Sequence, residues 1–406
     1  MAGRGRVRGT AAACALLLAG PAGCGAPATP DTQATAVQRL LDHRATAVLH
    51  RDRPAFLATQ APTGDAAGRP VAGAAGFDNL RALPLAAWSY RLTALHRTGD
   101  RATADAELRY RVEGYDRVPV TTARVLRLVR TDGRWYVGSD EPARRAPEQL
   151  WEQGVVETVR GTRSLVLGVG QPRRVLRGYA RLADRAVPAV DGAWGARWPG
   201  HVVVVVPRSL EAMAGLLGAP ASDYRGIAAV TTGEAGGTGQ TPADRIVVNP
   251  DAYAMLGGSG KQVVLSHETT HVATRAVTTA ATPLWLSEGY ADWVGYRGDG
   301  RTPAQVAPEL DRSVALGRVP AALPADADFA FSGDAGRLAR AYEGGWMACR
   351  LIVDRWGRSR LNDFYRAVGA HHRRAGAVED ALKKVLGTTP EAFTRQWRAY
   401  LKARLG

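Results

Sequence analysis

The segment Val263-Val264-Leu265-Ser266-His267-Glu268-Thr269-Thr270-His271-Val272-Ala273 sets two histidines four residues apart, with a glutamate directly after the first. On a helix, positions i and i+4 share one face. His267 and His271 can therefore aim imidazole nitrogens at a single metal ion. Glu268 falls one residue along, near enough to reach a water at that ion but not placed as a ligand. Val263, Val264, Leu265, Val272 and Ala273 would bury the rest of the helix and fix both His rotamers.

Catalytic zinc takes three protein ligands and keeps one position open for water. A second helix is predicted over Leu284-Trp285-Leu286-Ser287-Glu288-Gly289-Tyr290-Ala291-Asp292-Trp293, with Thr282 as its cap and Pro283 in its first turn. Glu288, seventeen residues after His271, can supply the third ligand from this neighbouring helix. Asp292 lies four residues further, on the same face. It can accept the second N–H of His267, which fixes the tautomer and raises ligand basicity.

His267-Glu268-x-x-His271 followed by Glu288-x-x-x-Asp292 resembles the gluzincin zinc metallopeptidases, the group that contains thermolysin and aminopeptidase N. It is also similar to exported bacterial proteins with a peptidase MA-like domain, where a Trp-Leu-Ser-Glu-Gly helix follows the zinc helix. By motif the resemblance covers about residues 261–356, and by architecture 150–406. It implies one zinc ion on His267, His271 and Glu288. It also implies hydrolysis of a peptide or protein substrate, with Glu268 as general base on zinc-bound water. Tyr342, in Ala341-Tyr342-Glu343-Gly344-Gly345, matches the Tyr of a Tyr-x-Lys-Gly segment that donates to the oxyanion in this group. Gly344 stands where the group has Lys, and the Gly-x-Met-Glu-Asn signature for a free α-amine is absent, so aminopeptidase activity is not implied. The strand ending at Val247-Val248-Asn249 is expected to be the edge on which a substrate pairs.

Upstream, the apolar spacing of Ala36-Val37, Leu40-Leu41, Ala45 and Ala47-Val48 is helical. Alternating stretches around Trp88–Leu92, Ala106–Val112 and Val125–Val129 read as strands, and Asp132-Gly133 leads into Trp135-Tyr136-Val137 as a hairpin. One helix followed by antiparallel strands resembles the cystatin-like and nuclear-transport-factor-like rolls, here over residues 35–141, and implies a binding or spacer domain. A break is expected at Asp140-Glu141-Pro142, with linking residues through Gln149. Residues 150–406 then form the metallopeptidase domain. A helix near Arg173–Ala186, a buried strand at Val202–Val206 and a strand at Ile246–Val248 give it a mixed sheet, and its C-terminal half is mainly helical. The whole is an α+β fold.

Lys plus Arg is 53 against 38 acidic residues, a net +15, and only Lys261, Lys383, Lys384 and Lys402 are lysines. Basic charge invites a nucleic-acid reading, but the N-terminus argues for export. Arg4, Arg6 and Arg8 precede a short apolar stretch from Ala11 to Gly20, then Pro21-Ala22-Gly23-Cys24. That is a signal peptide over 1–24 with a lipoprotein-like box, followed by a tether over 25–34. The expected location is the outer face of the cell membrane, anchored by lipid on Cys24, or secretion without the lipid. Anionic envelope polymers are then better partners for the remaining charge than nucleic acid. Beyond the leader only Cys349 remains unassigned, so no intrachain disulfide is expected.

Gly257-Gly258-Ser259-Gly260-Lys261 fails as a phosphate loop because Met255 and Gln262 occupy the Gly and Ser/Thr positions, and it reads as the turn feeding the zinc helix. A second functional reading stays open: a non-catalytic surface lipoprotein whose metal-bound, peptidase-like domain binds envelope components. A structural zinc site is normally closed by a fourth protein ligand, and no Cys or further His stands near His267 and His271 in sequence to close it.

Overall fold

The computed structural model describes residues 32–62, 73–232, 242–330 and 334–406. The expected export leader with Cys24, and the glycine-rich stretch after Thr232, lie outside the described residues.

Helix α1 (Thr32–Leu49) buries Val37, Leu41, Ala45 and Val48 along one stripe. It begins at Thr32, so residues 32–34 are helical rather than tether. The last helix breaker before it is Pro30, and Gln33 and Ala34 are good helix formers. Two short helices follow, α2 (Arg53–Leu57) and α3 (Gly73–Leu80). Asp52 caps α2 by accepting from Ala55 N at 2.9 Å.

Four antiparallel strands come next in chain order: β1 (Leu85–Thr98), β2 (Arg101–Val112), β3 (Val120–Thr131) and β4 (Arg134–Pro142). Alternation sets their two faces. Along β2, Ala102, Ala104, Ala106, Leu108, Tyr110 and Val112 are buried, while Arg101, Thr103 and Arg109 face water. The β3–β4 hairpin turns at Asp132 and Gly133, with φ of 50° and 78°, the left-handed pair that suits the twist of the flanking strands. Asp140 and Glu141 belong to β4 and do not mark a break, because they pair with Leu126 and Val125. Asp140 also accepts from the Tyr90 hydroxyl at 2.7 Å and from Arg124 Nε at 2.8 Å. Arg124 is buried and pairs with Glu152 as well, so this ion cluster ties β1, β3 and β4 to the chain that leaves them.

The second sheet has the order β5-β6-β7-β9-β8. Its strands are β5 (Val156–Arg160), β6 (Ser164–Val169), β7 (Val202–Val206), β8 (Ala229–Thr231) and β9 (Arg245–Val248). β6, β7 and β9 run parallel, and β5 and β8 are antiparallel edges. The crossover from β6 to β7 is α4 (Arg173–Trp194), which continues through Pro188 to Trp194, eight residues beyond the expected end. Burial on its apolar stripe (Val187, Val190, Ala193 and Trp194 are buried) outweighs the hydrogen bond that Pro188 forfeits.

All five valines of β7 are buried because both sheet faces are covered. Val204 and Val206 share a core with Leu176 of α4 and Leu265. Val203 and Val205 share the other core with Leu108, Leu128 and Trp151, the apolar interior of the N-terminal unit. The two units are thus packed through one continuous core. The linking segment is held as well: Gln149 Oε1 accepts from the Tyr110 hydroxyl at 2.9 Å, and Glu148 N donates to Gly215 O at 2.9 Å.

Beyond β7 the helices are α5 (Leu210–Leu217), α6 (Pro250–Ala254), α7 (Gly258–Thr274), α8 (Leu284–Gly295), α9 (Pro303–Val306) and α10 (Pro308–Ala315). After these come α11 (Ala335–Trp356), α12 (Arg358–Gly369), α13 (Ala377–Ala381) and α14 (Pro390–Arg404). Among the described residues no helix is long and apolar enough to cross a membrane. Helices α8 and α11 meet backbone to backbone. A Cβ on Gly289 would lie 2.3 Å from the Gly345 carbonyl carbon and oxygen, and one on Gly345 would lie 2.5 Å from Trp285 O. Gly289→Ala must push the two helices apart. It is expected to lower the unfolding free energy by about 1–3 kcal/mol, read from urea melts.

Candidate metal centre

Helix α7 carries the two histidines. It starts at Gly258 with Gly257 as N-cap, so Gly258–Lys261 form its first turn rather than a loop leading to it. The helix lies against α4, α8 and β8. Two of its buried threonines hydrogen-bond back to the preceding turn, Thr270 Oγ1 to Ser266 O at 2.7 Å and Thr274 Oγ1 to Thr270 O at 3.0 Å. Helix α8 begins differently from expectation. Thr282 is buried and accepts from Thr279 N, and the free Leu284 N–H is taken instead by the Asp326 carboxylate at 2.9 Å. The close crossing at Gly289 then holds the neighbouring Glu288 beside α11.

The structure brings four of the expected residues together. His267 Nε2 and His271 Nε2 are 3.0 Å apart. Glu288 Oε2 is 3.2 Å from the first and 3.4 Å from the second. Asp292 Oδ1 is 2.8 Å from His267 Nδ1. A proton on Nδ1, given to Asp292, leaves Nε2 with a lone pair directed at His271 and Glu288. Three donor atoms then converge where only a cation or a shared proton relieves their repulsion. Tetrahedral zinc with bonds of about 2.0–2.1 Å sets its donors roughly 3.3 Å apart, so the observed spacings fit zinc. His267, His271 and Glu288 are the one such group among the described residues, with no fourth protein ligand beside them.

The electrostatics agree. Burial opposes the charged form of His267, but Asp292 and Glu288 outweigh it and hold the imidazolium well above the usual histidine range. Burial likewise works against ionised Glu288, and the two imidazoles reverse this, holding its carboxyl far below the usual range. The metal-free cluster therefore holds a proton that a metal ion must displace, and metal affinity rises with pH. Asp292→Ala removes the carboxylate that orients His267. It is expected to weaken zinc affinity about 10–100-fold, measured by competition with a chelator.

Glu268 is buried beside the ligands. Burial raises its pKa, against the pull of His267 and His271. Its Oε2 accepts from Thr231 Oγ1 at 2.7 Å, with the Glu268 carbonyl oxygen 3.1 Å from the same hydroxyl. Thr231 belongs to β8, 37 residues upstream, and nothing in its local sequence marks it. β8 also corrects the expected substrate edge. β9 lies between β7 and β8, so Ile246–Val248 is internal and, among the described residues, the sheet ends at β8 on that side.

Tyr342 sits on α11, one turn before the Gly345 crossing. Its ring packs edge-on against Phe329, with centroids 5.2 Å apart. Burial, then the carboxylates of Glu288, Asp292 and Glu268, push its hydroxyl far above the usual phenol range, so it stays a protonated donor. Its hydroxyl has no hydrogen-bond partner among the described residues. Next to it, Glu343 turns away and accepts from the N–H groups of Glu309 and Leu310, at 3.2 and 2.5 Å. Cys349 is fully buried, and burial raises its thiol pKa, so it packs and does not ligate.

No protein-family model matches the chain, and no curated protein matches it. Solved structures with similarity to it include M1 zinc metallopeptidases. One is a mutant of a two-domain M1 zinc metallopeptidase bound to L-arginine, at 14% identity and TM-score 0.37, covering 75% of this chain and 62% of that one. Another is the M1 zinc metallopeptidase of Deinococcus radiodurans, at 15% identity and TM-score 0.35, covering 80% and 62%. A mutant of the Deinococcus radiodurans enzyme bound to a Tyr-Ser-Ala substrate gives 14%, 0.35, 79% and 62%. The chain thus spans 62% of the length of each. Likeness this distant leaves the site's own geometry to carry the function.

Proposed function

We propose that this protein is a zinc-dependent peptidase that hydrolyses peptide bonds. The observation that carries the reading is the convergence of His267 Nε2, His271 Nε2 and Glu288 Oε2 within 4.8 Å of one another, with the Glu268 carboxylate alongside. His267, His271 and Glu288 would hold the ion. Zinc there would polarise a carbonyl and lower the pKa of water towards ~7.

The chain's own groups do the remaining work. Asp292 orients His267 through Nδ1. Thr231 engages Glu268 Oε2, which leaves Oε1 to take a proton from the attacking water. Glu268 then passes that proton to the leaving amine nitrogen. Tyr342, protonated and without a hydrogen-bond partner among the described residues, donates to the substrate carbonyl oxygen as negative charge develops on it. An extended peptide pairs with the free edge of β8. The three-ligand set supports an open, catalytic position over a closed structural one. The basic, lipoprotein-like leader supports export and anchoring through Cys24, facing anionic envelope polymers.

The test is digestion of a mixed peptide library by purified protein, with every cut site sequenced. Cuts that recur at defined positions are expected. A library left intact by zinc-loaded protein would overturn the reading and favour the non-catalytic surface lipoprotein.

A further inference from the structure

Asp116 follows β2 in the N-terminal unit, and its side chain is fully buried. Its Oδ2 accepts from Val112 N at 2.7 Å within that unit. The remaining bonds cross to the second sheet: Ala243 N to Oδ1 at 3.0 Å, and Arg245 Nη2 to Oδ1 at 2.9 Å and Oδ2 at 2.7 Å. Arg245 opens β9. Its N–H donates to Thr232 Oγ1 at 3.0 Å, and its carbonyl accepts from Thr232 N at 2.8 Å. Thr231, one residue before, pairs with Ile246 and donates to Glu268. The same strand pair is tied to the end of α7: Arg275 reaches Asp244 Oδ2 at 3.0 Å and Thr232 O at 3.3 Å. β8 has three residues, lies at the sheet edge and, among the described residues, has only β9 as a partner strand. An edge this short is held by what anchors its neighbour.

We propose that the N-terminal unit is part of the catalytic apparatus, with Asp116 as a positioning residue that acts through Arg245 and Thr231 to orient the Glu268 carboxylate. The proposal rests on the reading of Glu268 as the proton acceptor in peptide hydrolysis. Charge-assisted bonds from a buried carboxylate to Arg245 and Ala243 fix β9, and β9 fixes β8 in register. Thr231 then presents its hydroxyl to Oε2, which keeps Oε1 towards the water. A clamp that served only to join the two units would stabilise the fold without reaching Glu268.

The experiment measures kcat, KM and zinc content on one cleaved peptide for Thr231→Val, Thr231→Ser, Asp116→Asn and Asp116→Asn/Thr231→Val. Thr231→Val matches threonine in shape. It is expected to lower kcat about tenfold with KM and zinc unchanged, and Thr231→Ser, which keeps the hydroxyl, should recover most of that loss. Asp116→Asn is expected to lower kcat about threefold to tenfold, and the double variant to be no slower than Thr231→Val alone, because both act through one hydroxyl. Amide hydrogen exchange at residues 229–232 of the metal-free protein should also quicken in Asp116→Asn. Wild-type kcat in Asp116→Asn, losses that multiply in the double variant, or unchanged exchange at 229–232 would each overturn the proposal. Failure of the wild-type protein to cleave any peptide would instead overturn the peptidase reading beneath it.

Discussion

Glu268→Gln is expected to keep its zinc and lose nearly all peptide cleavage. The substitution preserves side-chain size, and the amide oxygen can still accept from Thr231, so the helix and the ligand set have no reason to move. What disappears is the carboxylate, held by Thr231, that takes the proton of water and returns it. Burial raises the pKa of Glu268, which makes its ionised form a better base for water. Loss of a positioned acid–base group typically costs about 10²–10⁴ in rate, and kcat on a defined peptide should fall within or beyond that range. Metal analysis on the same preparation should still find one zinc per chain. Unchanged kcat would remove Glu268 from the chemistry.

His271→Ala is expected to abolish both metal retention and activity. It deletes one of three donors whose separations are 3.0 to 3.4 Å, and two donors do not hold zinc against a chelator as three do. The loss of affinity should exceed the ~10–100-fold expected from removing the outer partner Asp292. Thermal unfolding gives an independent readout. A ligand that binds only the folded state stabilises it by about 2.7 kcal/mol at a hundredfold excess over Kd, so added zinc should raise the melting temperature of wild type and leave His271→Ala unmoved. The wild-type shift should shrink as pH falls, because the metal-free cluster holds its proton on His267 well above the usual range and zinc competes with that proton. An equal zinc-induced shift in His271→Ala would place the metal elsewhere.

The parts of this site that were legible in the sequence are those set by helical period. His267 and His271 share a face by spacing alone, as do Glu288 and Asp292, and alternation along β2 separates its buried alanines from its exposed arginines. Contacts set by tertiary topology were not legible. Thr231 meets Glu268 only because β8 docks outside β9 in the sheet, and a lone threonine gives no local sign of that. The glycines at 289 and 345 look like helix-weakening residues until two backbones are seen to cross there. Pro188 signals an end to α4 that the burial of Val190, Ala193 and Trp194 overrides. Thr282 has the chemistry of a cap, yet Asp326, 42 residues beyond Leu284, takes that role. The continuous core between the two units was hidden as well. A run of five valines says that both faces of β7 are covered, but not that the strands of residues 85–142 cover one of them.

The central claim is that one zinc ion on His267, His271 and Glu288 enables peptide hydrolysis. The most direct measurement follows metal content and cleavage of one peptide in a single wild-type preparation, as purified, after chelation, and after return of one equivalent of zinc. The expected result is one zinc per chain, activity that vanishes with it, and recovery complete at one equivalent. Cleavage that survives full removal of the metal, or a fully zinc-loaded protein that leaves peptides intact, would contradict it.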